Sequence, residues 1–279
     1  MQTEANPNPF GYCGEYFDQE TGFIYLRNRY YDPSIGRFTQ EDPIRDGSNW
    51  YAYCANNPTS FVDPLGLIPT TMEAAEMADH IYNHDHTERI TDRIVGGWRL
   101  IDCFFSRELK IGVYIPRNDN WQNPTEYALV FKGITPTSEE DWENNAQQYL
   151  GEYSSHLIDG LRYVGNFIFE KKDYEITLIG HSKGGGEAAV NAEFWNKKAI
   201  VFNPSIPKIT YQLSDEGYVT SYVVQDEILN YLLGDLPIGN TIKLKRQHNG
   251  WLPGISTTDR INNHSMKSIF SALKQGGYR

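Results

Sequence analysis

Gly180, Ser182 and Gly184 stand at G-x-S-x-G spacing within "EITLIGHSKGGGEAAV". The run before them, "YEITLIG", predicts a strand, and "GGGEAAVNAEFW" after them predicts a helix. A serine at a strand-to-helix turn is the arrangement that exposes a nucleophile. The flanking glycines answer a crowding problem, because a sharp, strained turn leaves no room for neighbouring side chains. The amides at the start of the helix favour an oxyanion forming beside the serine. A structural turn or a phosphate-binding loop is the alternative, but a Walker-type loop is excluded because no G-K-[ST] stands at its spacing.

Serine attacks only when a base takes its proton, and two histidines follow Ser182, namely His248 and His264. His264, in "RINNHSMKSI" at the polar entry to the last predicted helix, is the expected base; His248, in the loop "KRQHNGW", is the alternative. The acid that orients the imidazole is expected just past a strand end. Asp226, directly after "SYVVQ", meets that requirement, with Glu227 and Asp235 as alternatives. For the oxyanion, the segment "YALVFKGITPTSEEDW" puts the amides near Ile134 and Thr135 after an apolar strand, and Lys183 supplies the amide next to the nucleophile. His181 packs beside the turn in this reading and is not the base. His80, His84 and His86 sit among Asp79 and Asp85 without a ligand pattern and read as a solvated helix end. No metal or organic cofactor is expected.

The elements that would hold these residues alternate along the chain. "TTMEAAEMADHIYN" predicts a helix, "GWRLIDCFF", "KIGVYIPR" and "EYALVFKGI" predict strands, and "SEEDWENNAQQYL" and "SSHLIDGLRYVGNFIFEKK" predict helices. Past the nucleophile turn come strands at "KAIVFNPS", "YVTSYVVQ" and "TIKLK", then a single helix over "NHSMKSIFSALKQ". Such alternation predicts an α/β protein with a largely parallel sheet covered on both faces, of the alpha/beta-hydrolase type. Before residue 68 the chain reads differently: aromatic and polar residues alternate between Asp-Pro and Asn-Asn-Pro turns, which predicts short antiparallel strands. The expected division is therefore 1–67, a small β-rich segment, and 68–279, the hydrolase domain.

Composition removes several functions. The 279 residues carry a formal net charge of -11, and no cluster of Lys and Arg offers a nucleic-acid surface. Cys13, Cys54 and Cys103 are scattered and are expected to be free thiols. No stretch reaches the roughly 18 apolar residues of a membrane helix. "HLIDGLRYVGNFIF" is expected to face a core rather than a membrane. The opening residues lack the basic flank and apolar run of a signal peptide. The expected location is cytoplasmic as synthesised, with any export depending on a dedicated secretion system or a larger parent chain.

Two segments carry family resemblances. "PFGYCGEYFDQETGFIYLRNRYYDPSIGRFTQEDP", "NWYAYCANNPTSFVDPLGL" and the closing DPxGL resemble the end of the RHS-repeat-associated core of polymorphic toxins, over Asn8 to Leu67. That resemblance implies a C-terminal toxin, self-cleavage after Leu67 by an aspartyl pair at Asp42 and Asp63, and an immunity protein as partner. Arg45 stands where the family pattern has glycine. Further on, Phe131, Lys132, Gly133, Asp141 and Trp142 resemble the oxyanion segment of class 3 lipases, with Lys132 in place of arginine and Ile134 in place of a small polar residue. Together these imply a serine ester hydrolase of lipase or phospholipase type, acting on a lipid or other ester as the toxic module. An inactive hydrolase-like interaction module, a thioesterase or peptidase, and a displaced fragment of a larger shell protein are the rival readings.

Overall fold

The structure is a computed structural model that describes residues 16–26, 29–41, 51, 53, 69–83, 94–106, 109–124, 126–133, 155–205, 219–229, 239–248 and 256–278. Two compact units divide the chain, Met1–Ile68 and Pro69–Arg279. In the first unit, β1 (Tyr16–Phe17), β2 (Ile24–Leu26), β3 (Arg29–Asp32) and β4 (Arg37–Phe38) form an antiparallel sheet in that order. Its core is small and aromatic: Tyr31, Phe38 and Tyr53 pack with Ile24 and Leu26, and the Arg29 guanidinium lies 3.5 Å over the Phe38 ring. Asp42, Asp63 and Leu67 lie outside the described residues.

The second unit is built on an eight-stranded sheet. Its strands are β5 (Ile94–Val95), β6 (Trp98–Ser106), β7 (Leu109–Pro116), β8 (Glu126–Phe131), β9 (Glu175–His181), β10 (Lys198–Phe202), β11 (Val219–Val224) and β12 (Asn240–Leu244). The order across the sheet is β12-β11-β10-β9-β8-β7-β6-β5. From β8 to β12 every pairing is parallel, while β5 to β8 pair antiparallel. The sheet is thus parallel over one half rather than throughout. The physical reason is connection length: two residues separate β5 from β6 and β6 from β7, far too few for the crossover that a parallel neighbour requires.

Helices α1 (Thr71–Asn83), α2 (Ser155–Glu170), α3 (Lys183–Trp195), α4 (Thr257–His264) and α5 (Met266–Gln275) cover the sheet. On one face Ala74, Ala78 and Ile81 of α1 and Ile269 and Leu273 of α5 pack with Ala128, Val130, Ile179 and Tyr222. On the other, Val164 of α2 and Ala188, Ala189 and Ala192 of α3 pack with Leu129, Phe131, Leu178 and Val201. Neighbours along β8 thus feed opposite cores, as strand geometry requires. A strand covered on both faces has no solvent side, and every residue of β7 and β8 is buried. This architecture, with a small antiparallel sheet earlier in the chain, is that of an alpha/beta hydrolase.

The sequence pattern predicts one C-terminal helix where the structure has two. Ser265 breaks it with an extended backbone (φ -65, ψ 153), ending α4 and capping α5 by accepting from the Ser268 amide. A capping box between Ser256 and Asp259 opens α4. His264 is therefore the last residue of a short helix, not the entry to a long one. The predicted helix over "SEEDWENNAQQYL" lies outside the described residues.

The turn from β9 into α3 is pressed against the end of β8. A methyl group on Gly184 would overlap the Phe131 carbonyl, and one on Gly180 would overlap the Gly184 carbonyl. Both obstacles are backbone and cannot rotate away. Gly184→Ala should lower unfolding stability by about 1–3 kcal/mol, read as a lower urea midpoint at unchanged m-value; an unchanged midpoint would show that the turn has slack.

Candidate active site

Ser182 occupies the turn in a left-handed conformation, φ 58 and ψ -129, which costs a non-glycine residue about 1–3 kcal/mol. The surrounding main chain holds it there. The Ser182 amide donates to the Phe202 carbonyl at 3.1 Å, and the Ser182 carbonyl accepts from the amides of Gly186 and Ser205 at 3.1 and 2.9 Å. Although Ser182 is the N-cap residue of α3, its side chain makes no capping hydrogen bond. The hydroxyl is not spent on the helix. Lys183, whose amide is a candidate oxyanion donor, is the first residue of α3. Ile134 and Thr135, the other candidates, lie outside the described residues.

His264 meets a carboxylate, and that carboxylate is Glu227. Its Nδ1 lies 2.5 Å from Glu227 Oε2, with both side chains 1% exposed. The same oxygen accepts from the Leu229 amide at 2.9 Å, which fixes its direction. Nδ1 is thus the ring nitrogen committed to Glu227. Asp226, expected to be the partner of that imidazole, is not the carboxylate that meets it. Asp226 takes a left-handed turn (φ 60) immediately past β11 and turns to Arg246, whose Nη1 donates to Oδ2 at 2.8 Å in a partly exposed pair. That turn sends residue 227, not 226, into the protein. Asp235 lies outside the described residues. His248 serves through its backbone, its amide donating to Asn263 Oδ1 and its carbonyl accepting from Asn263 Nδ2.

A polar chain connects α1 to this pair. The Tyr82 hydroxyl lies 3.0 Å from His181 Nδ1 and 3.2 Å from the His181 carbonyl, and His181 Nε2 lies 2.7 Å from the His264 carbonyl. A carbonyl oxygen only accepts, so Nε2 carries the His181 proton and Nδ1 accepts from Tyr82. The rings of His181 and His264 stand 4.8 Å apart. Burial, with His264 adding to it, pulls the His181 pKa down to about 3. It is a neutral fixture at working pH, unsuited to act as the base. Burial likewise raises the Tyr82 phenol above its ordinary value. Gly133, after β8, has to be glycine, since a methyl there would overlap the Tyr82 hydroxyl. Sequence reasoning missed Tyr82 and Asn203; only Asn203, a polar residue directly after the apolar run "AIVF", carried a signal.

Among the described residues no group of three or more His, Cys, Asp and Glu is placed to hold a metal ion. His80 Nδ1 instead pairs with the buried Tyr114 hydroxyl at 2.8 Å, while His84 and His86 lie outside the described residues. On α3, one turn past Lys183, Glu187 is buried with its Oε1 4.0 Å from Lys183 Nζ. Burial pushes its carboxyl up to about 7, against the opposing pull of Lys183. Between about pH 4.5 and 7 the folded protein keeps a proton that the unfolded chain releases, so this group makes stability fall as pH rises through that window. Urea titrations should show the wild type losing stability relative to Glu187→Gln over that interval; a pH-independent difference between the two would overturn the assignment.

Residues 73–263 match the Phospholipase-like family, described as a Tle-like phospholipase domain. Curated relatives include the toxin protein Tse5 of Pseudomonas aeruginosa, 42% identical over 24% of this chain and 5% of its own length. The tRNA nuclease WapA of Bacillus subtilis is 45% identical over 23% of this chain and 3% of its own. The uncharacterised protein YlbH of Escherichia coli is 41% identical over 29% of this chain and 36% of its own. The chain thus spans about a third or less of these relatives. Among solved structures, the mono- and diacylglycerol lipase of Aspergillus oryzae aligns over 73% of this chain and 92% of its own at 15% identity and TM-score 0.41. The family match takes in α1 from its third residue, the turn at Ser182, Glu227 and all but the last residue of α4, and by it the chain belongs to the Tle-like phospholipase domain family.

Proposed function

We propose that the second unit is a serine phospholipase in which Ser182 is the nucleophile, His264 the base and Glu227 the acid. The observation that carries this reading is the buried His264–Glu227 pair, set at the same carboxyl end of the parallel strands as a strained serine whose side chain caps nothing. His264 Nε2 takes the hydroxyl proton as Ser182 Oγ attacks the ester carbonyl. The oxyanion is met by the Lys183 amide and by a backbone donor from the segment of Ile134 and Thr135. The alcohol leaves with the proton from Nε2, and water reverses the sequence to release the fatty acid. Glu227 holds the ring in one tautomer and stabilises the imidazolium.

The proposed setting is toxic. The relatives named as a toxin and a nuclease place different activities on long chains, and here the activity is lipid hydrolysis. The functional division falls at 67/68, with cleavage after Leu67 by Asp42 and Asp63, export by a dedicated secretion system, and an immunity protein as partner.

The test is labelling by a fluorophosphonate alongside fatty acid release from phospholipid vesicles. Ser182→Ala should abolish both. His264→Ala and Glu227→Gln should lower kcat by about 10³-fold or more, whereas Asp226→Asn, which alters a partly exposed ion pair, should stay within about threefold. Folded wild-type protein that takes no label and cleaves no ester would overturn the proposal, and an equal loss in the Asp226 and Glu227 variants would overturn the choice of acid.

A further inference from the structure

An imidazole is placed by two things, the partner of its ring and the position of its main chain. Glu227 accounts for the ring. The main chain of His264 is harder to hold, because it ends α4, an eight-residue helix. The last carbonyls of a helix have no partner within it. Here they are met from the sheet. Asn203 Nδ2 donates to the carbonyls of Asn263 and His264 at 3.3 and 3.0 Å, and His181 Nε2 donates to the His264 carbonyl at 2.7 Å. A carbonyl oxygen has two lone pairs, and these two donors account for both.

Asn203 reaches further. Its Oδ1 accepts from the Val224 amide at 2.8 Å, at the end of β11 and three residues before Glu227. Its own amide donates to the Tyr222 carbonyl at 2.9 Å. Phe202, just before it, and Ser205, two residues after it, bond the main chain of Ser182. Asn203 adopts φ 39, a left-handed conformation that asparagine tolerates better than most residues. One buried side chain therefore touches the strand end that carries the acid and the helix end that carries the base, from a loop that grips the nucleophile.

We infer that Asn203 and His181 are positioning residues that hold the base at the nucleophile by clamping the His264 carbonyl. The inference rests on the serine-hydrolase reading above. Its consequence is that losing either donor slows proton transfer while leaving substrate binding intact, since a displacement of about 1 Å can cost a hundredfold in rate.

Two pairs of variants test this. His181→Phe keeps a ring and loses the donor; His181→Gln carries an amide nitrogen near the place of Nε2. Asn203→Ala removes the donor, and Asn203→Asp replaces it with an acceptor facing two carbonyls while keeping the contact to Val224. On a soluble ester, well below each variant's thermal midpoint, His181→Phe and both Asn203 variants should show kcat about 10- to 100-fold lower with KM within about threefold. Fluorophosphonate labelling should slow in parallel, and His181→Gln should recover most of the rate. Should the Asn203 variants fail to fold, the His181 pair decides alone. Labelling of His181→Phe at the wild-type rate, or equal slowing of His181→Phe and His181→Gln, would overturn the clamp. A folded wild type that takes no label would instead overturn the hydrolase reading beneath it.

Discussion

Parallel pairing of β9, β10 and β11 is the constraint from which the site follows. Parallel strands end on the same side, and the register sets His181 beside Phe202 and Phe202 beside Tyr222. Three loops thus emerge side by side, bearing Ser182, Asn203 and Glu227. The crevice outside the carboxyl ends of parallel strands is where open α/β sheets place their chemistry. The antiparallel half of the sheet contributes differently. Its inner strands, β7 and β8, are buried on both faces and act as the wall that α1 and α2 pack against. With that wall fixed, α1 can deliver Tyr82 to His181 and α3 can start directly after Ser182.

Close backbone approach is the second requirement. Gly133, Gly180 and Gly184 lie where the ends of β8 and β9 and the start of α3 meet, and each abuts atoms that a side chain would displace. The strained conformation of Ser182 persists because three main-chain hydrogen bonds over-determine it. Packing density in this hub comes from glycine rather than from large apolar side chains. Polar groups then do the fixing: two histidines, an asparagine and a glutamate are buried beside a half-buried tyrosine, where an unmet donor or acceptor costs more than a hydrogen bond gains. His181 is neutral for a related reason, since burial disfavours its charged form.

What the sequence determined by itself is local. The glycine spacing around Ser182 has meaning because a strand-to-helix turn admits nothing larger, and it marks that turn without any knowledge of the rest. The helix and strand periods place α1, α3 and the strands from β6 onward, because each buries a face whose period is set by backbone geometry. The order of serine, acid and base also narrows the base to two histidines.

What only the tertiary structure decided is which of several chemically equal neighbours points inward. Asp226 and Glu227 are adjacent carboxylates at one strand end, and their difference lies in a left-handed turn at 226 and an arginine twenty residues away that takes the outer one. Ser265 could equally have sat within a helix, and its extended backbone, which stops α4 at His264, depends on the hydrogen bonds it makes on either side. Asn203 carries no spacing signature at all; its role comes from partners at 224, 263 and 264, far off in sequence. Long-range hydrogen bonds of this kind depend on register between elements, and that register exists only once the sheet has formed and the helices have packed upon it.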